Sequence, residues 1–164
     1  MRISNRFRWT SANSFREAAE LAYWCHVFGR YEESLEICDF LARYEFSGNY
    51  AFWTHVHFAL ALQARLFRKQ RKRTRAAEYA KRIRLDVCRD LLITRKRLDP
   101  NGSLALALKQ GNPVAERSAR LSRLMNLCLF IELGGSKALS VPALQKDYDE
   151  TLARLYTLVG ANET

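Results

Sequence analysis

Three observations predict an all-α protein. Apolar residues recur three and four positions apart along nearly the whole chain. The 164 residues include only 3 Pro and 7 Gly, too few for the many tight turns of a β-sandwich. The clear turn signals fall between the periodic stretches rather than within them. A hydrophobic content of 48% argues against intrinsic disorder. No apolar run approaches the roughly 18 residues that a membrane-spanning helix needs. The length suits one domain over 1–164, and no Pro/Gly/Ser-rich linker divides it.

The elements follow in chain order. Ser14 with Glu17 matches a capping box, so a first helix is expected from Ser14, with Phe15, Ala18, Leu21, Ala22, Cys25 and Phe28 on its inner face. Gly29, free to take positive φ, ends it. A second helix starts at Tyr31 and turns Leu35, Cys38, Leu41 and Ala42 inward. Gly48-Asn49 marks a turn before a third, carrying Phe52, Trp53, Val56, Leu60 and Phe67. Ala76, Ala80, Ile83, Val87 and Leu91 then form an amphipathic series. Asp99-Pro100-Asn101-Gly102 is a strong turn signal. A short helix is expected over 103–110, although the alternation of Leu104, Leu106 and Leu108 equally suits a strand. Asn112-Pro113 opens the next helix, with Pro at its first position, and Gly134-Gly135 closes it. The last helix, about 140–159, faces Val141, Leu144, Tyr148, Leu152, Leu155 and Val159 inward.

Short turns make sequential helices pack antiparallel, giving hairpins over 15–44, 50–97 and 103–160. In the first of these, Phe28-Gly29-Arg30-Tyr31-Glu32-Glu33-Ser34-Leu35 resembles the G-x-Y-x-E-A-I turn of a tetratricopeptide repeat. Gly29 matches the interhelix glycine, Tyr31 the turn aromatic, and Ser34 the place where that family prefers Ala. Ala18 stands where a Trp is usual and Phe46 where a Pro is, and no 34-residue period continues, so the likeness covers about 30 residues. A lone hairpin cannot bury its apolar face, so the resemblance implies a short, irregular stack of hairpins; an irregular helical bundle is the alternative. It also implies an exposed binding face on the first helix of each hairpin, formed here by Arg16, Glu20, Tyr23, His26 and His55.

One internal echo stands out: Ala22-Tyr23-Trp24-Cys25-His26-Val27 and Ala51-Phe52-Trp53-Thr54-His55-Val56. It reads as similar packing residues on two core helices with each His half exposed, or else as a paired aromatic–His surface. Catalytic patterns are missing. His55 and His57 lie roughly 200° apart on a helix and cannot share a metal. No G-x-S-x-G, P-loop, G-x-G-x-x-G or H-E-x-x-H is present. Glu32, Glu33 and Glu36 complement a helix dipole. A non-enzymatic protein without cofactor or metal is expected. Residues 1–14 lack the apolar core of a secretory signal. Cys25, Cys38, Cys88 and Cys128 fall in apolar helical stretches, which points to a reduced, cytoplasmic protein.

Charge is the strongest functional signal. Bases and acids number six and seven over 1–64, fourteen and three over 65–97, and seven and seven over 98–164, so the middle window carries the whole net charge of +10. Its densest part holds Arg68, Lys69, Arg71, Lys72, Arg73 and Arg75. Such a run repels itself and calls for an anionic partner. An acidic protein is the first reading. Nucleic acid is the second, disfavoured because 65–84 holds just Phe67 and Tyr79 for base stacking. A membrane surface is not expected. In general character the chain is similar to bacterial toxin-immunity proteins, which implies a tight complex that blocks a partner toxin.

Overall fold

The computed structural model describes residues 12–43, 50–83, 98–136 and 138–160. They form seven α-helices, and no strand occurs among the described residues. The fold is all-α. Contacts divide the chain into two compact units, Met1–Cys88 and Arg89–Thr164, a division that falls inside the expected 50–97 hairpin.

The first unit contains α1 (Ala12–Val27), α2 (Tyr31–Ala42), α3 (Tyr50–Lys69) and α4 (Arg73–Lys81). Helix α1 packs on both α2 and α3, α2 also packs on α3, and α3 packs on α4, so the first hairpin lies against the second. Ala18, Ala19 and Ala22 of α1 are fully buried, and their small side chains let neighbouring backbones approach closely. Helix α3 is the centre of the unit: every side chain from Val56 through Ala64 is buried. A helix covered on all sides needs apolar residues around its whole circumference, and Phe58, Ala59, Leu60, Ala61 and Leu62 supply them.

Both hairpins turn in the same way. Gly29 (φ 74°) donates its N–H to the His26 carbonyl at 3.0 Å, and Arg30 donates to Cys25 at 2.8 Å. Arg71 (φ 62°) donates to Arg68 at 3.0 Å, and Lys72 to Phe67 at 2.8 Å. Each is a Schellman ending, in which a left-handed residue satisfies the last carbonyls of the helix. Two cross-links tie the hairpins together, one at each end. The Lys69 ammonium, at the end of α3, donates to the Tyr31 hydroxyl at the start of α2 at 2.7 Å. At the far end, Arg82 donates to the Ala42 carbonyl. At the motif position that prefers Ala, Ser34 is fully buried and its hydroxyl donates to the Ala22 carbonyl at 2.8 Å. A small residue is required there, and the hydroxyl finds a partner.

Two local expectations are corrected. Helix α1 already runs at Ala12, so Ser14 lies inside it and is not its cap. Helix α4 ends at Lys81, where Arg82 and Ile83 donate to carbonyls three residues back, although the apolar spacing continues past them. Gly48-Asn49, Phe46, Cys88, Val87, Leu91 and all of 84–97 lie outside the described residues, as do the side chains of Phe52 and Trp53.

The second unit contains α5 (Ser103–Gln110), α6 (Pro113–Glu132) and α7 (Val141–Val159). Helix α5 packs on α6, and α6 on α7. The Asp99 carboxylate starts α5 by accepting from the N–H groups of Leu104 (2.7 Å) and Ala105 (3.2 Å). The Leu104–Leu106–Leu108 alternation is therefore helical, and it leaves Leu106 and Leu108 exposed. Asn112 caps α6 through Val114 and Ala115 N–H groups at 3.1 and 3.2 Å, with Pro113 at the first position. Gly135 has φ 110°, and a Cβ there would stand 3.2 Å from the Leu139 carbonyl oxygen, so the loop before α7 needs glycine. Leu121, Leu124, Leu127, Cys128 and Phe130 of α6 meet a core completed by Leu144, Tyr148 and Leu155 of α7.

Candidate partner-binding surface

The structure splits the expected face of α1 and α3 into interior and rim. Tyr23 is fully buried, and its hydroxyl donates to the Phe58 carbonyl at 2.9 Å. His26 is 3% exposed, with its ring 5.8 Å from that of Tyr31. Both are corrected from surface to core. Helix α3 lies directly on this side of α1, covering what a more open stack would expose. Burial pushes the His26 imidazole down to about 3, helped by the charges of Arg65 and Lys69. His55 is half-buried and held down to about 4, by burial first and then by Arg16. His57 is buried on another side of α3, so the two histidines diverge as their spacing requires. Arg16 and Glu20 stay accessible and pair with each other at 3.9 Å. Arg16, Glu20 and His55 are thus a rim, and the echo at Tyr23 and His26 is packing.

The cationic segment is different. Every residue from 68 to 75 is exposed. Arg71, Lys72, Arg73 and Arg75 form no ion pair among the described residues, in contrast with the arginines of the second unit. There, Glu116 accepts from Arg120 and Arg154, each at 2.8 Å, and Arg123 grips Asp147 with two nitrogens while also donating to the Leu98 carbonyl. Those two paired carboxylates stitch α6 to α7. The charge of the first unit faces outward instead.

Several of its cations are held over aromatic rings. Lys69 stands 4.5 Å from the Tyr31 ring centre. Phe67 and Tyr79 stack at 5.4 Å and 17°, and Lys72 and Arg75 lie 5.7 and 4.7 Å from the Phe67 centre. Arg82 lies 5.8 Å from that of Tyr79. Such contacts pre-order long side chains that would otherwise lose freedom on binding. Sequence reasoning missed this frame. The eleven residues between Phe67 and Tyr79 carry no helical periodicity across a turn, and the Tyr31–Lys69 pairing needs the tertiary fold.

The turn also places Arg71 in the left-handed region, where a side chain costs about 1 kcal/mol relative to glycine. Helix α4 begins with no acidic residue in its first turn and no side-chain cap from Lys72, so its free N–H groups add to the positive field.

Elsewhere the chemistry is structural. Cys25, Cys38 and Cys128 are buried cysteines outside any disulfide, and burial raises Cys25 above its ordinary value. Among the described residues no three His, Cys, Asp or Glu side chains gather to hold a metal. An open groove of about 390 Å³ between α5 and α6 is floored by Ala115, Ser118, Ala119 and Ser122; its single carboxylate, Asp99, already caps α5. No helix among the described residues is long and apolar enough to cross a membrane.

A family model matches residues 1–156, nearly the whole chain. The chain belongs to the family of unknown function DUF6707. No curated protein and no solved structure matches it. The family carries no assigned activity, so function is argued from the surface itself.

Proposed function

We propose that the protein is a non-enzymatic helical binding module that takes an acidic protein at the cationic end of its first unit. The general likeness to bacterial toxin-immunity proteins implies a stoichiometric, inhibitory complex with a toxin or effector as the partner. One observation carries this reading: the cations of 68–75 are exposed, and Arg71, Lys72, Arg73 and Arg75 are left unneutralised by the described carboxylates. A second observation favours protein over single-stranded nucleic acid. The rings that could stack bases are engaged internally, Phe67 buried under Tyr79 and two cations, and Tyr31 beneath Lys69. Buried cysteines outside any disulfide suit a reducing compartment, the cytoplasm.

The test is the triple reversal of Arg71, Lys72 and Arg73 to Glu, with binding of fluorescent poly-L-glutamate and of a duplex DNA measured side by side. Loss of poly-L-glutamate binding with far-UV helicity intact is expected. Unchanged binding overturns the reading. Tighter binding to duplex, falling by orders of magnitude as salt rises from about 50 to 200 mM, would assign the surface to nucleic acid instead.

A further inference from the structure

The two turns of the first unit are copies of one design with one difference. They share the same pair of closing hydrogen bonds, at 3.0 and 2.8 Å in each. The residues that follow share the same backbone: Arg30 at φ −87°, ψ 65° and Lys72 at φ −91°, ψ 68°. The left-handed position is Gly29 in one and Arg71 in the other. Glycine occupies such a position without steric penalty, and a residue bearing Cβ does not. Nothing in the described structure compensates Arg71. Its side chain is exposed, and no described carboxylate, carbonyl or ring engages the guanidinium. Its neighbours are occupied: Lys69 by Tyr31, and Lys72 and Arg75 by Phe67. Arg73 is likewise exposed and unengaged, but it sits in the first turn of α4; the penalised position carries the unengaged charge at the apex of the turn itself.

We propose that Arg71 is the anchor of the acidic-protein interface, its guanidinium receiving a partner Asp or Glu carboxylate between two nitrogens. This rests on the binding function proposed above and assigns that function a specificity-determining residue. A guanidinium suits the task because its planar fork meets a carboxylate with two parallel hydrogen bonds, which an ammonium cannot do. The flanking Lys69, Lys72 and Arg75, already fixed on aromatic rings, supply the field that draws the partner in, and Arg71 supplies the directed contact.

The experiment compares Arg71→Gly with Arg73→Ala in the full chain, since each removes one cation from the same exposed segment. The readouts are the urea midpoint and the affinity for poly-L-glutamate at low salt. Arg71→Gly is expected to raise the urea midpoint and to weaken binding about fivefold, whereas Arg73→Ala weakens it about twofold or less. Equal losses would show a diffuse field with no anchor and overturn the proposal while leaving the binding function standing. A lower midpoint for Arg71→Gly would overturn the claim that the arginine is kept against the fold's preference. Failure of the binding function is read separately: the triple Glu variant would then bind poly-L-glutamate as the unaltered protein does.

Discussion

The Lys69 ammonium and the Tyr31 hydroxyl join the two hairpins of the first unit at 2.7 Å, with the same ammonium 4.5 Å from the tyrosine ring centre. One residue closes α3 and the other opens α2, so a single side-chain pair ties adjacent turns. Tyr31→Phe keeps the ring under the cation and removes the acceptor; Lys69→Ala removes both contacts. Losses of up to about 1 kcal/mol are expected, larger for Lys69→Ala, because the pair is exposed. Urea denaturation of both variants measures them. If neither variant loses stability, the buried core alone holds the hairpins together.

The buried histidine next to that pair makes stability depend on acid. His26 has an ordinary value of 6.5 and is lowered to about 3 in the fold. Its neutral form is the one the fold prefers, so its contribution is complete above 6.5 and is lost as the unfolded chain takes up protons below it. His55, lowered to about 4, acts in the same direction. The urea midpoint should fall as pH drops from 6.5 towards 4, and His26→Phe should reduce that slope. A midpoint constant across this range would show that the ring protonates within the folded protein.

Glu116 should add a second, lower acid transition in the other unit. Hydrogen bonds from Arg154 above all, and from Arg120, hold its carboxyl down from 4.5 to about 2, against the opposing effect of burial. The ionised form is favoured in the fold, so its stabilisation is present above 4.5 and disappears as pH falls towards 2. Glu116→Gln should cost about 1–3 kcal/mol at neutral pH by leaving two arginines without their carboxylate. The variant should also lose the lowest-pH phase of acid unfolding. Retention of that phase would place it on another carboxylate.

Where a signal was local, sequence reading reached the fold. Gly29, Asn112-Pro113 and Gly134-Gly135 each combine a backbone preference with a position between apolar runs, and each ends or begins a helix as expected. Asp99 is read as a turn residue, and its carboxylate does more by capping α5. Misreadings came from features that depend on neighbours. Tyr23 and His26 look like surface residues on an isolated hairpin, and the approach of α3 buries them. Ser14 matches a cap pattern, yet the helix starts earlier and the same residues serve its interior. The apolar spacing through Ala76, Ala80 and Ile83 has no way to register the end of α4 at Lys81. Arg71 carried no turn signal because the position that invites glycine holds an arginine.

The cationic turn has a practical consequence for following its occupancy. Six of the eight residues at 68–75 are Lys or Arg, and all eight are exposed, so trypsin meets its preferred peptide bonds there before it reaches the packed helices. Cleavage would open the backbone between α3 and α4 without touching their cores. A docked partner would shield those bonds, turning the rate of nicking into a footprint of binding that needs no label on either molecule.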